Sequence, residues 1–184
     1  IKQSKYEYLL FIHEDISFET PNWGLILTNL FAKQPDVGLI GIAGSKFKTK
    51  APSGWAEAGH QFNELFIKQY DGESLVEDLT INHAGSAYEE VAVLDGVFLA
   101  TRKSDNLFFD ETLEGFHNYD IALSLRNRSA NRKAIVSFEI MVKHFSQGNY
   151  GHDWVRSAHQ FYKKYKDQLP FAFQLSQIPR KLKR

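Results

Sequence analysis

The 184-residue sequence predicts an α/β fold in one domain, a mostly parallel sheet flanked by helices. Three observations predict it. Continuous apolar runs at 6–12, 37–44 and 90–101 read as strands buried on both faces, as in a parallel sheet covered by helices. The first two runs flank a helical pattern at 23–33, which makes a strand–helix–strand unit. A hydrophobic content of 43%, with 15 Phe and 8 Tyr, is ample for the core such a sheet requires. The first residue is Ile1 and a strand begins within about a turn of it, so the chain reads as an N-terminally incomplete domain.

In order, Tyr8-Leu9-Leu10-Phe11-Ile12 runs into His13-Glu14-Asp15. In extended backbone His13 and Asp15 project to one side and Glu14 to the other. Ligands in open α/β sheets bind beyond the carboxyl ends of strands. The strand therefore delivers an imidazole and a carboxylate to a site, or ends in a polar loop; these residues alone leave both open. Ser17 to Asn22 is a loop. Leu25, Ile26, Leu30 and Phe31 give Trp23 to Lys33 an amphipathic helix, ended by Gln34-Pro35-Asp36. Residues 37–44 form a second strand, whose glycines suit close approach by a neighbour or ligand.

Residues 45–61 are polar, with Gly, Pro and a lone Trp55, and form the longest loop; such loops are often functional. Trp55 serves a site formed by this loop or plugs the sheet. Asn63 to Tyr70 is a strand, Asp71-Gly72 a turn, and 73–88 irregular. In the strand from Glu90 to Thr101, Asp95 interrupts the face made by Val91, Val93, Val97 and Leu99. An acid there is costly to bury unless paired, so Asp95-Gly96 marks a hydrogen-bonded turn or a site. A helix follows Tyr119 with Ile121, Ala122 and Leu125 inward, and gives way at Ser129-Ala130-Asn131-Arg132. Ala134 to Val142 is a final strand ending in Lys143-His144-Phe145-Ser146. Residues 153–167 form a helix with Trp154, Ala158, Phe161 and Tyr165 on one face, and the stretch from Tyr150 to Trp154 before it is a lid or a plain N-cap at Asp153.

Lys+Arg and Asp+Glu number 22 each, so no global field favours nucleic acid or an anionic membrane. The basic tail at 179–184 is the local exception, a solvated terminus or a weak contact with an anionic membrane surface. The absence of Cys excludes disulfides, thiolate catalysis and Cys-based zinc sites. No run of 18 apolar residues offers a membrane-spanning helix.

Asp15 with His13 and His144 suits Mn²⁺ or Mg²⁺ if phosphate oxygens complete the shell. Asp120, near the positive N-terminus of its helix, is a candidate base for an attacking hydroxyl. Each has a structural alternative: a turn cap for Asp15, a favourable helix N-terminal residue for Asp120, a satisfied structural imidazole for each histidine.

Four stretches then carry a resemblance. They are the strand ending in His13-Glu14-Asp15, the run from Val93 to Arg102 containing Asp95-Gly96, the helix start from Phe116 to Arg126, and Val142-Lys143-His144-Phe145-Ser146. In order and spacing they resemble the family 2 glycosyltransferases of the GT-A fold, in a bacterial glycosyltransferase-like branch, over residues 6 to about 150. The resemblance implies a GT-A-like fold and inverting transfer from a nucleotide-diphospho-sugar to a glycan or other hydroxyl acceptor. It implies Mn²⁺ or Mg²⁺ on Asp15, His13 and His144, and Asp120 as base. Asp95, Gly96, His117, Trp55 and Arg126 become donor- and acceptor-binding candidates. A bacterial surface-polysaccharide pathway and a cytoplasmic location, at the inner face of the membrane, follow from the same resemblance.

The departures are specific. His13 stands where the family's metal motif has an acid, Tyr119 stands where Glu is common, and Arg126 has Arg128 as a neighbour for the same role. The family's base-binding strand and turn lie upstream of the metal motif, which makes this chain the acceptor-side portion. These departures also suit a non-catalytic carbohydrate-binding or assembly module on a transferase scaffold. A metal hydrolase using Asp15, His13 and His144 is a third reading.

Overall fold

A computed structural model describes residues 1–104, 107–146, 148 and 150–173. The basic tail at 179–184 lies outside the described residues. The chain runs β1 (Tyr8–Ile12), β2 (Ile16–Phe18), α1 (Trp23–Lys33), β3 (Val37–Gly41), β4 (Ala43–Ser45), β5 (Phe47–Lys48), β6 (Asn63–Asp71), β7 (Ser74–Ile81), β8 (Tyr88–Val91), β9 (Val93–Leu94) and β10 (Phe98–Arg102). It continues through α2 (Tyr119–Ser129), β11 (Lys133–Ser137), β12 (Val142–His144), α3 (His152–Tyr165) and β13 (Phe171–Ala172). Among the described residues no helix is long and apolar enough to cross a membrane.

The sheets overturn the expectation of a mostly parallel, GT-A-like arrangement. A five-stranded sheet has the order β1-β10-β3-β11-β8, and a six-stranded sheet has the order β2-β12-β6-β4-β9 with β7 paired to β6. Among the described residues only β3–β11 in the first sheet and β6–β12 in the second are parallel; the other pairings are antiparallel. The reason lies in how the apolar runs are divided. Residues 37–44 give β3 to one sheet and β4 to the other; residues 90–101 give β10 to the first sheet and β9 to the second; β11 and β12 divide in the same way. The first sheet is still covered on both faces, Ile40 packing with Leu30 and Phe31 of α1 and Leu39 with Leu123 of α2, although most of its neighbouring strands run antiparallel. Continuous apolar sequence is therefore a signature of double-sided burial, not of parallel pairing.

Three local expectations change as well. β1 is an edge strand, not a central one: Leu9 is buried, but Tyr8, Leu10 and Phe11 are half-buried and Ile12 is 45% exposed. Residues 74–81, expected to be irregular, form β7, whose mostly exposed side chains hide the usual strand pattern while its backbone pairs with β6. α3 is capped by Gly151, with Asp153 exposed in its first turn rather than at the cap.

The core is aromatic and aliphatic. Phe31 from α1, Leu39 and Ile40 from β3, Phe98 and Leu99 from β10, and Leu123 from α2 are all fully buried. Each contributes about 1.5–3 kcal/mol over an exposed position. α1 turns Leu27, Leu30 and Phe31 inward and leaves Leu25 63% exposed. α2 is buried over most of its surface, including Asp120, Ser124 and Asn127. Asn118 enters α2 with φ 62°, a left-handed conformation that Asn tolerates better than most residues.

Candidate functional site

β1 aligns residue by residue with β10, and the His13 N–H continues the ladder by donating to the Val97 carbonyl at 3.2 Å. β2 turns back against β12 with Ile16 opposite His144, and the Phe145 N–H donates to the Asp15 carbonyl at 2.9 Å. These two registers bring together side chains more than 120 positions apart. His13 Nδ1 lies 3.5 Å from His144 Nε2, and His144 Nε2 lies 3.5 Å from Asp15 Oδ1. Ligand atoms of the three residues lie within 4.8 Å of one another. Burial raises the Asp15 pKa, but a hydrogen bond from Ser146 and the charge of His144 outweigh it, so the net shift is downward. Burial depresses the His144 pKa and favours neutral imidazole, the form that ligates metal. Two imidazoles and a carboxylate fit a divalent cation that accepts nitrogen, and so fit Mn²⁺ better than Mg²⁺.

A second group of polar side chains lies beside the first. The Asp120 carboxylate accepts the Ile121 N–H at 2.8 Å and the Gly96 N–H at 3.0 Å. Burial, then repulsion from Asp95, pushes its pKa up to about 7. Asp95 Oδ1 accepts the Val97 N–H at 2.7 Å, and its Oδ2 accepts the Trp55 indole N–H. Asp95 therefore braces its turn and also faces the cavity. The loop bearing Trp55 is held from below by Lys48, which is 1% exposed. Its Nζ donates to the carbonyls of Thr49 and Ala51 at 3.0 Å and to Ser53 Oγ at 3.2 Å. Burial brings the Lys48 pKa down to about 8. On the other side, Ser157 of α3 donates to the His117 carbonyl at 2.7 Å and receives an N–H from Asn118 at 3.2 Å, which fixes the entry to α2.

Both groups line one cavity of about 850 Å³. Residues 1–170 match a family model described as a glycosyltransferase like family. The chain belongs to that family. No protein of curated function matches the sequence. His13, Asp15 and His144, far apart in sequence, form one cluster in space that resembles an Asp/His-x-Asp-type motif.

Within this glycosyltransferase-like chain, the cavity gathers His13, Asp15, Trp55, Asp95, Gly96, His117, Asp120 and His144. Arg126 is not among the cavity residues. It lies 3.6 Å from Asp110 and over the Phe108 ring at 4.1 Å. Asp110 also holds Lys164 and Tyr165 of α3, so Arg126 serves a clasp between helices. Sequence reasoning did not single out Gln69, Ser146 or Phe116, which also line the cavity, as do Tyr150 and Trp154 from the stretch read as a lid or a cap. Ser146 follows His144 by two positions, a local signal that could have found it. Gln69 carries no such signal; only the parallel register of β6 and β12, which sets it opposite His144, brings it to the site.

Proposed function

We propose that this chain transfers a sugar from a nucleotide-diphospho-sugar to an acceptor hydroxyl, with inversion at the anomeric carbon. One observation supports the reading above others: an imidazole–carboxylate trio and a carboxyl group poised near neutrality line the same cavity in a chain of a glycosyltransferase-like family. His13, Asp15 and His144 would hold Mn²⁺ or Mg²⁺, which supplies Lewis-acid stabilisation to a diphosphate.

The chain's own residues do the rest. Asp120 takes the proton of the acceptor hydroxyl. The hydroxyl oxygen bonds to the anomeric carbon from the face opposite the diphosphate, whose bond breaks and whose oxygen keeps the electron pair. A base with a pKa near the working pH combines sufficient ionisation with sufficient basicity. The N–H groups of Gly96 and Ile121 hold both carboxylate oxygens in place and leave each a further lone pair. Asp95, oriented by Val97 and Trp55, accepts hydrogen bonds from sugar hydroxyls. Trp55 and His117 line the wall for donor and acceptor.

The test is turnover with Mn²⁺, a panel of sugar nucleotides and glycan acceptors. Acceptor-dependent release of nucleoside diphosphate is the expected result. Release of free sugar regardless of acceptor would make the chain a metal hydrolase. Failure to bind any sugar nucleotide in a metal-dependent way would make it a carbohydrate-binding or assembly module.

A further inference from the structure

Gln69 sits opposite His144 in the β6–β12 register, and its amide grips that residue twice. Gln69 Nε2 donates to the His144 carbonyl at 3.2 Å and to the Ser146 carbonyl. Only an NH₂ group can serve two carbonyls, so the amide has a single sensible orientation, with Oε1 toward the ring. That oxygen lies 3.0 Å from His144 Nδ1. An amide oxygen only accepts, so Nδ1 carries the proton. The Nε2 lone pair is then left facing Asp15 and His13.

A separate chain of hydrogen bonds acts on His13. The Tyr119 hydroxyl donates to the Gly96 carbonyl at 3.3 Å and lies 3.4 Å from His13 Nε2. A phenol has a single proton to give. With that proton committed to Gly96, the phenol oxygen accepts from Nε2–H of His13. The Nδ1 lone pair of His13 then faces His144 Nε2 across 3.5 Å. The Ser146 hydroxyl lies 3.3 Å from His144 Nε2, but its one proton cannot serve both imidazole lone pairs and the carboxylate, whose mutual repulsion a cation among them relieves.

We propose that Gln69 and Tyr119 are positioning residues that set opposite tautomers on His144 and His13, so that both lone pairs converge with Asp15 on one cation. The inference rests on the metal reading of this cluster, and it adds to it the two groups outside the cluster that prepare it. Outer hydrogen-bond partners of this kind typically change metal affinity by about 10–100-fold.

Nitrogen NMR of the histidine rings in the full, metal-free chain at about pH 8 reads the tautomers directly. The expected result is Nδ1–H on His144 and Nε2–H on His13, assigned with His13→Gln and His144→Gln. Gln69→Leu releases the His144 tautomer alone, and Tyr119→Phe releases the His13 tautomer alone. Gln69→Glu keeps an acceptor for Nδ1–H and retains the His144 tautomer. Titration with Mn²⁺ alone then shows about 10–100-fold weaker binding for the Leu and Phe variants, with Gln69→Glu close to the parent. Reversed tautomers in the parent, or tautomers unmoved by Gln69→Leu and Tyr119→Phe, overturn the proposal. Expected tautomers without any Mn²⁺ binding by the parent leave the positioning in place and overturn the cation it serves.

Discussion

The Gly96 N–H donates to the Asp120 carboxylate at 3.0 Å, which ties the first turn of α2 to the bend between β9 and β10. The bend admits no larger residue: a Cβ on Gly96 would lie 2.3 Å from the Tyr119 hydroxyl oxygen. Gly96→Ala should therefore lower stability by about 1–3 kcal/mol, the usual cost of overpacking. Urea unfolding measures this, and an unchanged midpoint would refute the close approach.

Asp120→Asn should reduce transfer by about 10²–10⁴-fold while sugar-nucleotide binding persists. The pH dependence has a definite sign. The folded pKa of about 7 exceeds the ordinary value of 3.8, so between those values the unfolded state ionises first. The contribution of Asp120 to stability thus falls as pH rises from about 4 to 7 and stays low above that range. Stability of the parent minus that of Asp120→Asn should decline over the same interval, whereas turnover of the parent should rise through about pH 7. Parallel stability curves for the two proteins would show that Asp120 ionises normally.

Removal of one imidazole should dismantle the metal site. His144→Ala should abolish Mn²⁺ binding by calorimetry, and the parent should bind Mn²⁺ more tightly than Mg²⁺, because imidazole nitrogen suits the transition metal better. Chelator should stop turnover, and added Mn²⁺ should restore it. Equal affinity for the two ions would mean that the histidines do not ligate.

Arg126 and Asp110 should affect stability rather than ligand binding. Burial raises the Asp110 pKa, but hydrogen bonds from Lys164, Tyr165 and Thr112 outweigh it and hold the group well below the usual carboxylate range. A depressed acid contributes stability above its unfolded pKa and loses it as pH falls, so this clasp weakens in acid. Asp110→Ala should cost about 1–3 kcal/mol, since it strands the buried Tyr165 hydroxyl. Arg126→Met should leave sugar-nucleotide affinity unchanged; a large loss would place Arg126 in the site.

Several features were legible in the chain because they depend on neighbours in sequence. The two-residue spacing of His13 and Asp15, the Asp95-Gly96 bend and the position of Asp120 in the first turn of α2 are all local. The partners that give those groups their chemistry are distant. Trp55 reaches Asp95 from 40 positions away, and Gln69 reaches His144 from 75.

The sequence by itself determined where the apolar runs lie, which polar groups end them, and the family to which the pattern belongs. The tertiary structure alone decided that the runs divide between two largely antiparallel sheets. It also sent Arg126 to a helix clasp and turned the rings of His13 and His144 toward Asp15. The reason is physical: hydrophobicity reports how deeply a residue is buried, whereas strand direction and side-chain pairing depend on backbone registers between segments far apart in the chain.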